Sequence, residues 1–307
     1  MSAGVGTWPH RHLLDVDSLS RDELERLLDL AVELRGDAPP TLPLAGVVIG
    51  LAFYEPSTRT RVSFEIAGRR LGATVVDLDV AGSSVAKGES LLDTLRTLRR
   101  TGVSLIVLRH AAAGAPYLAA REVGGAVVNA GDGQHAHPTQ ALADALTLRE
   151  ALGTLEGAKV AIVGDIVHSR VARSNIHALT RLGASVWVAG PPAYVRGFDA
   201  WPEVRVAPLE EALRDADAVM TLRVQLERAA ASGVPSLAEY ARGWRLDEQR
   251  MELCRPDAPI LHPGPTNEGV ELTAELAASP RSLIGRQVEN GVAVRMAVLT
   301  LLLSADR

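Results

Sequence analysis

Short apolar runs rich in β-branched residues recur along this chain with helix-length segments between them, and no other feature restricts its fold as strongly. The runs are GVVIGLAFY, ATVVDLDV, SLIVLRH and AVVNAG, then KVAIVGD, SVWVAGP, VRVAP, AVMTLR and PILHPG. Continuous rather than alternating apolar strands suit a parallel sheet covered by helices on both faces, so an α/β fold built on doubly wound sheets is predicted. The intervening segments agree. ESLLDTLRTLRR sets Leu91, Leu95 and Leu98 at helical spacing, and SRDELERLLDLAVELR opens with Ser20 and Glu23 in the positions of a capping box.

Four of the strand segments precede residue 131 and five follow residue 158. With 307 residues, 47% of them hydrophobic, the chain can bury two ordinary cores, and two doubly wound parallel-sheet domains are expected. The boundary is placed in the helical stretch His137 to Gly153, giving domains 1–145 and 146–285, with a C-terminal helix of about 286–307 packing back on the first. A cleft between them is the expected ligand site. The apolar stretch VAVRMAVLTLLL is interrupted by Arg295 and is shorter than the roughly 18 residues of a membrane span, which predicts a buried helix. One cysteine, Cys254, excludes an internal disulfide, and MSAGVGTWPHRH lacks the apolar core of a secretory signal, so a cytoplasmic location is expected. A net charge of −5 argues against nucleic acid or an anionic membrane as partner. Any anion site must be local.

In open α/β sheets ligands gather beyond the carboxyl ends of the strands. FYEPSTRTR (Phe53 to Arg61) lies at such an end and VSFEIAGRRLG continues it as a helix, so Ser57, Thr58, Arg59, Thr60 and Arg61 would offer helix amides, hydroxyls and guanidinium groups to one tetrahedral oxyanion. The competing reading is a solvated polar turn. GSSVAKGES places Ser83, Ser84 and Lys87 after the second strand without Walker spacing, and no G-x-G-x-x-G follows KVAIVGD, which argues against nucleotide binding. LRH ends the third strand with Arg109. NAGDGQHAHPTQALAD brings His135, His137 and Gln140 to a helix start; zinc would need a third ligand, none follows at familiar spacing, and no metal is expected. In the second half GDIVHSRVARSNIHAL supplies Arg170 and Arg173, and TLRVQLER supplies Arg223 and Gln225. Separated guanidinium groups suit a dicarboxylate better than a single anion.

FYEPSTRTRVSFE, SSVAKGES, LRH, GDGQHAHPTQ, GDIVHSRVARSN, LRVQLER and HPGP (His262 to Pro265) occur in the order seen in transcarbamoylases, and the chain resembles the aspartate branch of that family over nearly its whole length. The resemblance implies that Ser57, Thr58, Arg59 and Thr60 bind the phosphate of carbamoyl phosphate. It also implies that Thr60, Arg109 and His137 surround the carbamoyl oxygen, and that Gln140 and the carbonyls of Pro263 and Gly264 receive the carbamoyl amide. Arg170, Arg223 and Gln225 match positions that grip aspartate, and Ser83 and Lys87 match a loop reaching a neighbouring subunit's site within a homotrimer. No cofactor is implied. Regulatory chains or a dihydroorotase are further partners such enzymes admit. An ornithine-type acceptor would leave the first half unchanged and alter the residues that read the acceptor; a noncatalytic trimer that kept the fold is the alternative of another class. One departure stands out. Where many relatives follow HPGP with Met-Asn-Arg, this chain has Thr266, Asn267 and Glu268, a negative charge in place of a positive one.

Overall fold

The computed structural model describes residues 8–35, 43–80, 82, 88–224, 236–267 and 269–304. Two compact units divide the chain: Met1–Thr139 with Asn290–Arg307, and Gln140–Glu289.

The first unit holds a sheet of β1 (Val48–Phe53), β2 (Thr74–Leu78), β3 (Leu105–His110) and β4 (Ala126–Asp132) in the order β2-β1-β3-β4, every pair parallel. β4 is buried along its length and β1 and β3 along most of theirs, as continuous apolar runs require. β2 differs: it is one of the two edge strands and is largely exposed. Helix α1 (Arg21–Leu34) starts at the predicted capping box, with Ser20 and Glu23 bonded reciprocally. α2 (Thr58–Arg70) follows β1. α3 (Leu91–Arg100) buries Leu95 with Leu91 and Leu98 against the core of Ala52, Ile106 and Leu108, and α4 (Ala115–Glu122) joins the same core through Ala115 and Ala119.

The second unit holds β5 (Lys159–Val163), β6 (Ser185–Ala189), β7 (Val204–Val206), β8 (Ala218–Thr221) and β9 (Ile260–Leu261) in the order β7-β6-β5-β8-β9, again all parallel. All nine apolar runs are therefore strands. The chain passes from one unit to the other within α5 (Pro138–Leu152) and returns within the C-terminal helix Ile284–Ser304. That last helix contains the apolar stretch interrupted by Arg295. The arginine is 4% exposed, and its guanidinium lies over the Phe64 ring, 5.1 Å from the centroid, which accommodates a charge in an apolar setting. Among the described residues no helix is long and apolar enough to cross a membrane.

Cys254 packs into the second unit's core beside Met251 and Ala258. Burial pushes its thiol up to about 11, so the reactive thiolate is scarce. A thiol–disulfide reagent at mildly alkaline pH should leave the folded chain unmodified and titrate its single cysteine once denaturant is added. Rapid reaction of the folded chain would contradict the burial.

Candidate active site

Each sheet has one place where the strand order reverses, and ligands of open α/β sheets bind outside the carboxyl ends of the strands at such a point. In the first unit it lies between β1 and β3, since the chain runs from β1 to β2 on one side and then to β3 and β4 on the other. FYEPSTRTR leaves β1 there, and Arg109 sits near the end of β3, paired in register with Phe53.

α2 begins in this crevice with an uncapped end. Ser20, Ser90, Ser169 and Ser236 each precede a helix and each accepts a backbone N–H with its hydroxyl. Ser57 holds the same position before α2 and makes no such bond, and the first turn of α2 has no acidic residue. The first amides of a helix lack intrahelical partners, so this terminus offers N–H groups, a hydroxyl and the positive end of the helix dipole to an anion. The two arginines of the motif divide their roles. Arg61 is tied to Asp77 of β2 at 2.9 Å, whereas Arg59, with Thr58, is exposed on the first turn.

Thr60 is buried, and its hydroxyl lies 3.5 Å from His137 Nε2, the outer limit of a hydrogen bond. Arg109 donates from Nη1 to the Ala130 carbonyl at 3.2 Å, and its Nε lies 3.6 Å from Glu55 Oε2. The Arg109 carbonyl meanwhile receives the N–H of Tyr54 at 2.8 Å, closing the β1 exit against β3. Gly133 allows the β4 exit to approach as closely: at φ +48° it lies where a Cβ would come 2.8 Å from the Ala111 carbonyl oxygen. Within the first unit the structure thus brings Thr60 to His137, and sets Arg109 beside the chain that leads to Ser57.

His135 is spent elsewhere. Its ring nitrogens face Asp132 at 3.1 Å and Asp15 at 3.3 Å, and among the described residues no group of three or more His, Cys, Asp or Glu side chains is placed to hold a metal.

The second unit's reversal lies between β5 and β8. Arg170 opens α6 (Arg170–Arg181) just beyond β5, with Ser169 capping Ala172, and Arg223 follows β8 by two residues. Gly164, at φ +134°, lets Leu222 come within 3.1 Å of where a Cβ would stand, so the two exits lie side by side. Arg173 serves packing: it donates to the Val167 carbonyl at 3.1 Å, lies over the Phe198 and Trp201 rings, and burial lowers its pKa.

Two buried carboxylates, neither conspicuous in the sequence, organise the remaining segments of this unit. Glu271 accepts the N–H of Val224 at 2.9 Å, the N–H of Asn267 at 2.8 Å and the Asn267 side-chain amide at 2.7 Å, holding the residue after Arg223. Burial pushes its carboxyl up from the ordinary value, while these donors pull it back. Asp144 accepts from Gln140 and from Gln287, each at 2.7 Å, and Gln287 in turn accepts the His262 N–H at 2.9 Å. His262 Nδ1 receives the Gly264 N–H at 2.8 Å, shaping the HPGP turn. The only local signal of either carboxylate is an acidic residue among apolar neighbours, within the helical ALADALTL or, in GVELTAEL, just before a helix start. Ser83, Lys87, Gln225 and Glu268 lie outside the described residues.

Two family models match this chain: the carbamoyl-phosphate-binding domain of aspartate/ornithine carbamoyltransferases over residues 11–150, and their aspartate/ornithine-binding domain over residues 156–302. The chain belongs to the aspartate/ornithine carbamoyltransferase family. It is 54% identical over 298 residues to the aspartate carbamoyltransferase catalytic subunit of Thermus aquaticus, covering 95% of this chain and 98% of the relative. It is 50% identical to that of Roseiflexus sp. strain RS-1, over 94% of each chain. Among solved structures it resembles Trypanosoma cruzi aspartate transcarbamoylase in complex with aspartate and phosphate, with a TM-score of 0.82 and 31% identity, covering 94% of this chain and 95% of the other. It resembles Pyrococcus furiosus ornithine carbamoyltransferase as well, with a TM-score of 0.87 and 29% identity over 96% and 97%. The carbamoyltransferase fold is thus shared by both acceptor types. Backbone similarity does not choose the acceptor, and the residues that read it must.

Proposed function

We propose that this carbamoyltransferase moves the carbamoyl group of carbamoyl phosphate to the amine of L-aspartate, giving N-carbamoyl-L-aspartate and phosphate, a step of pyrimidine synthesis in the cytoplasm. The observation that carries the reading is the uncapped start of α2, with exposed Arg59 on its first turn and Arg109 at the adjoining strand end. Ser57, Thr58, Arg59 and Thr60 hold the phosphate. Thr60, Arg109 and His137 donate to the carbonyl oxygen, and Gln140 with the Pro263 and Gly264 carbonyls accepts from the amide. Arg170, Arg223 and Gln225 hold the two carboxylates, which an ornithine side chain could not match. Aspartate relatives at 50% identity and above favour the same acceptor.

Carbamoyl phosphate is already an activated acyl donor, so no enzymic nucleophile is needed. The neutral amine attacks the carbonyl carbon, negative charge gathers on the carbonyl oxygen, and the C–O bond to phosphate breaks as the leaving phosphate takes the amine's proton. Holding the two reactants in line supplies about 7–11 kcal/mol of the barrier. The donors on the oxygen are strongest where charge develops, which lowers the transition state more than the ground state.

Phosphate release should be measured with carbamoyl phosphate and either aspartate or ornithine. Aspartate alone should support turnover. Release with ornithine only would overturn the acceptor, and release with neither would leave a noncatalytic trimer.

The reading includes a homotrimer in which Ser83 and Lys87 serve a neighbour's site. Arg59→Ala and Lys87→Ala preparations, each inactive, should then regain partial activity when dissociated and reassembled together, because a mixed trimer contains an undamaged site. No recovery after confirmed subunit exchange would show that each site is built from one chain.

A further inference from the structure

We infer that Asp144 is a positioning residue that gives the site its preference for a carbamoyl donor, by fixing which atoms of Gln140 and of the HPGP turn face the donor's amide. The inference rests on the proposed function and deepens it. Asp144 is fully buried in α5. Its Oδ1 receives the side-chain amides of Gln140 and Gln287, each at 2.7 Å, and its Oδ2 receives that of Asn175 at 2.8 Å.

The carboxyl oxygens accept from all three side chains, so each of these amides turns its NH2 toward Asp144. For Gln140 the consequence is that Oε1, an acceptor, is the end turned away. For Gln287 the Oε1 end is then directed at the His262 N–H, which it accepts at 2.9 Å, and His262 leads into Pro263 and Gly264. One carboxylate therefore sets the polarity of a side-chain acceptor and anchors the turn that carries two backbone acceptors. A carbamoyl NH2 has two N–H groups to donate. Without Asp144, Gln140 could present its own NH2 to the substrate just as readily, setting donor against donor.

The rival reading is that Asp144 merely joins helices. The two separate on a pair of phosphonates that differ only where the amide stands: phosphonoacetamide, and acetonylphosphonate, which carries a methyl group there. Calorimetry on the whole protein should show the wild type favouring the amide by about ten- to a hundredfold, the effect of leaving polar groups unmatched. Asp144→Ala should bring that ratio toward unity while affinity for acetonylphosphonate and for inorganic phosphate stays near the wild-type value. Asp144→Asn should restore most of the preference. Its oxygen can serve Gln140 and Gln287, and its NH2 can donate to Asn175 once that amide turns round to offer its Oδ1, buried without a hydrogen-bond partner among the described residues, in place of the Nδ2 that donates to Asp144.

Should Asp144→Ala not fold, Gln287→Met, which removes the bonds to Asp144 and to the His262 N–H but leaves the one between Asp144 and Gln140, reads the same ratio and should lower it. An unchanged ratio in the variant that folds, or equal losses for both phosphonates, overturns the inference. Failure of the wild type to bind either phosphonate counts against the proposed function instead.

Discussion

Arg109→Ala is expected to lower kcat by about 10²–10³-fold, the usual consequence of removing one donor from a developing oxyanion. The fold should survive, because the bond that closes β1 against β3 uses the Arg109 backbone carbonyl and not its side chain. The lost contacts include the donor to the Ala130 carbonyl and the 3.6 Å pairing with Glu55. Circular dichroism and Tm should stay close to wild type while turnover collapses, and kcat/KM for carbamoyl phosphate should fall with kcat. Arg109→Lys should recover only part of the activity, since an ammonium cannot reproduce the planar fork of a guanidinium. Near-normal turnover in the alanine variant would remove Arg109 from the chemistry.

Glu271→Gln is the second substitution with a large expected effect. The carboxylate receives two donors on Oε1 and the Asn267 N–H on Oε2. A glutamine can keep the first pair only by placing its NH2 against the Asn267 N–H, so one buried donor is left unmatched at about 1–3 kcal/mol. Val224 is held by this group, and Arg223 precedes it. The aspartate KM should therefore rise about tenfold or more, the equivalent of about 1.4 kcal/mol, while the carbamoyl phosphate KM changes little. A lower Tm with both constants unchanged would reduce Glu271 to a structural role.

The same group carries a pH dependence. Burial raises its folded-state pKa, so between the ordinary carboxyl value and the folded one the folded chain keeps a proton there that the unfolded chain has released. Its contribution to stability is fully present below the ordinary carboxyl value and is lost as pH rises through the folded value. The Tm difference between wild type and Glu271→Gln should narrow over that rise. A difference that widens would contradict the sign.

Much of the fold and of the candidate site is legible in the amino-acid sequence, for local reasons. Nine apolar runs with helical segments between them are enough to require parallel sheets, because a strand buried on both faces cannot alternate. Ser20 and Glu23 announce a helix start through bonds that span three residues. Arg59, Arg109, Arg170 and Arg223 stand out as candidates because strand ends are where such sheets collect ligands. The choice of Arg59 over Arg61, and of Arg170 over Arg173, acquires its physical reason only with the partners in view: Asp77 occupies one arginine, and Val167 with two aromatic rings occupies the other.

The amino-acid sequence by itself determined the strands, their parallel pairing, the family motifs and the chemistry available at the strand ends, since each depends on residues close together in the chain. Tertiary structure alone decided the strand orders β2-β1-β3-β4 and β7-β6-β5-β8-β9, and with them which two strand ends flank each crevice. It alone decided that Ser57 leaves its helix uncapped, and that Asp144 and Glu271 take donors from segments far away in the chain. The reason is that a buried carboxylate takes its meaning from the donors around it, and those donors come from segments up to 143 residues away, beyond the reach of any local pattern.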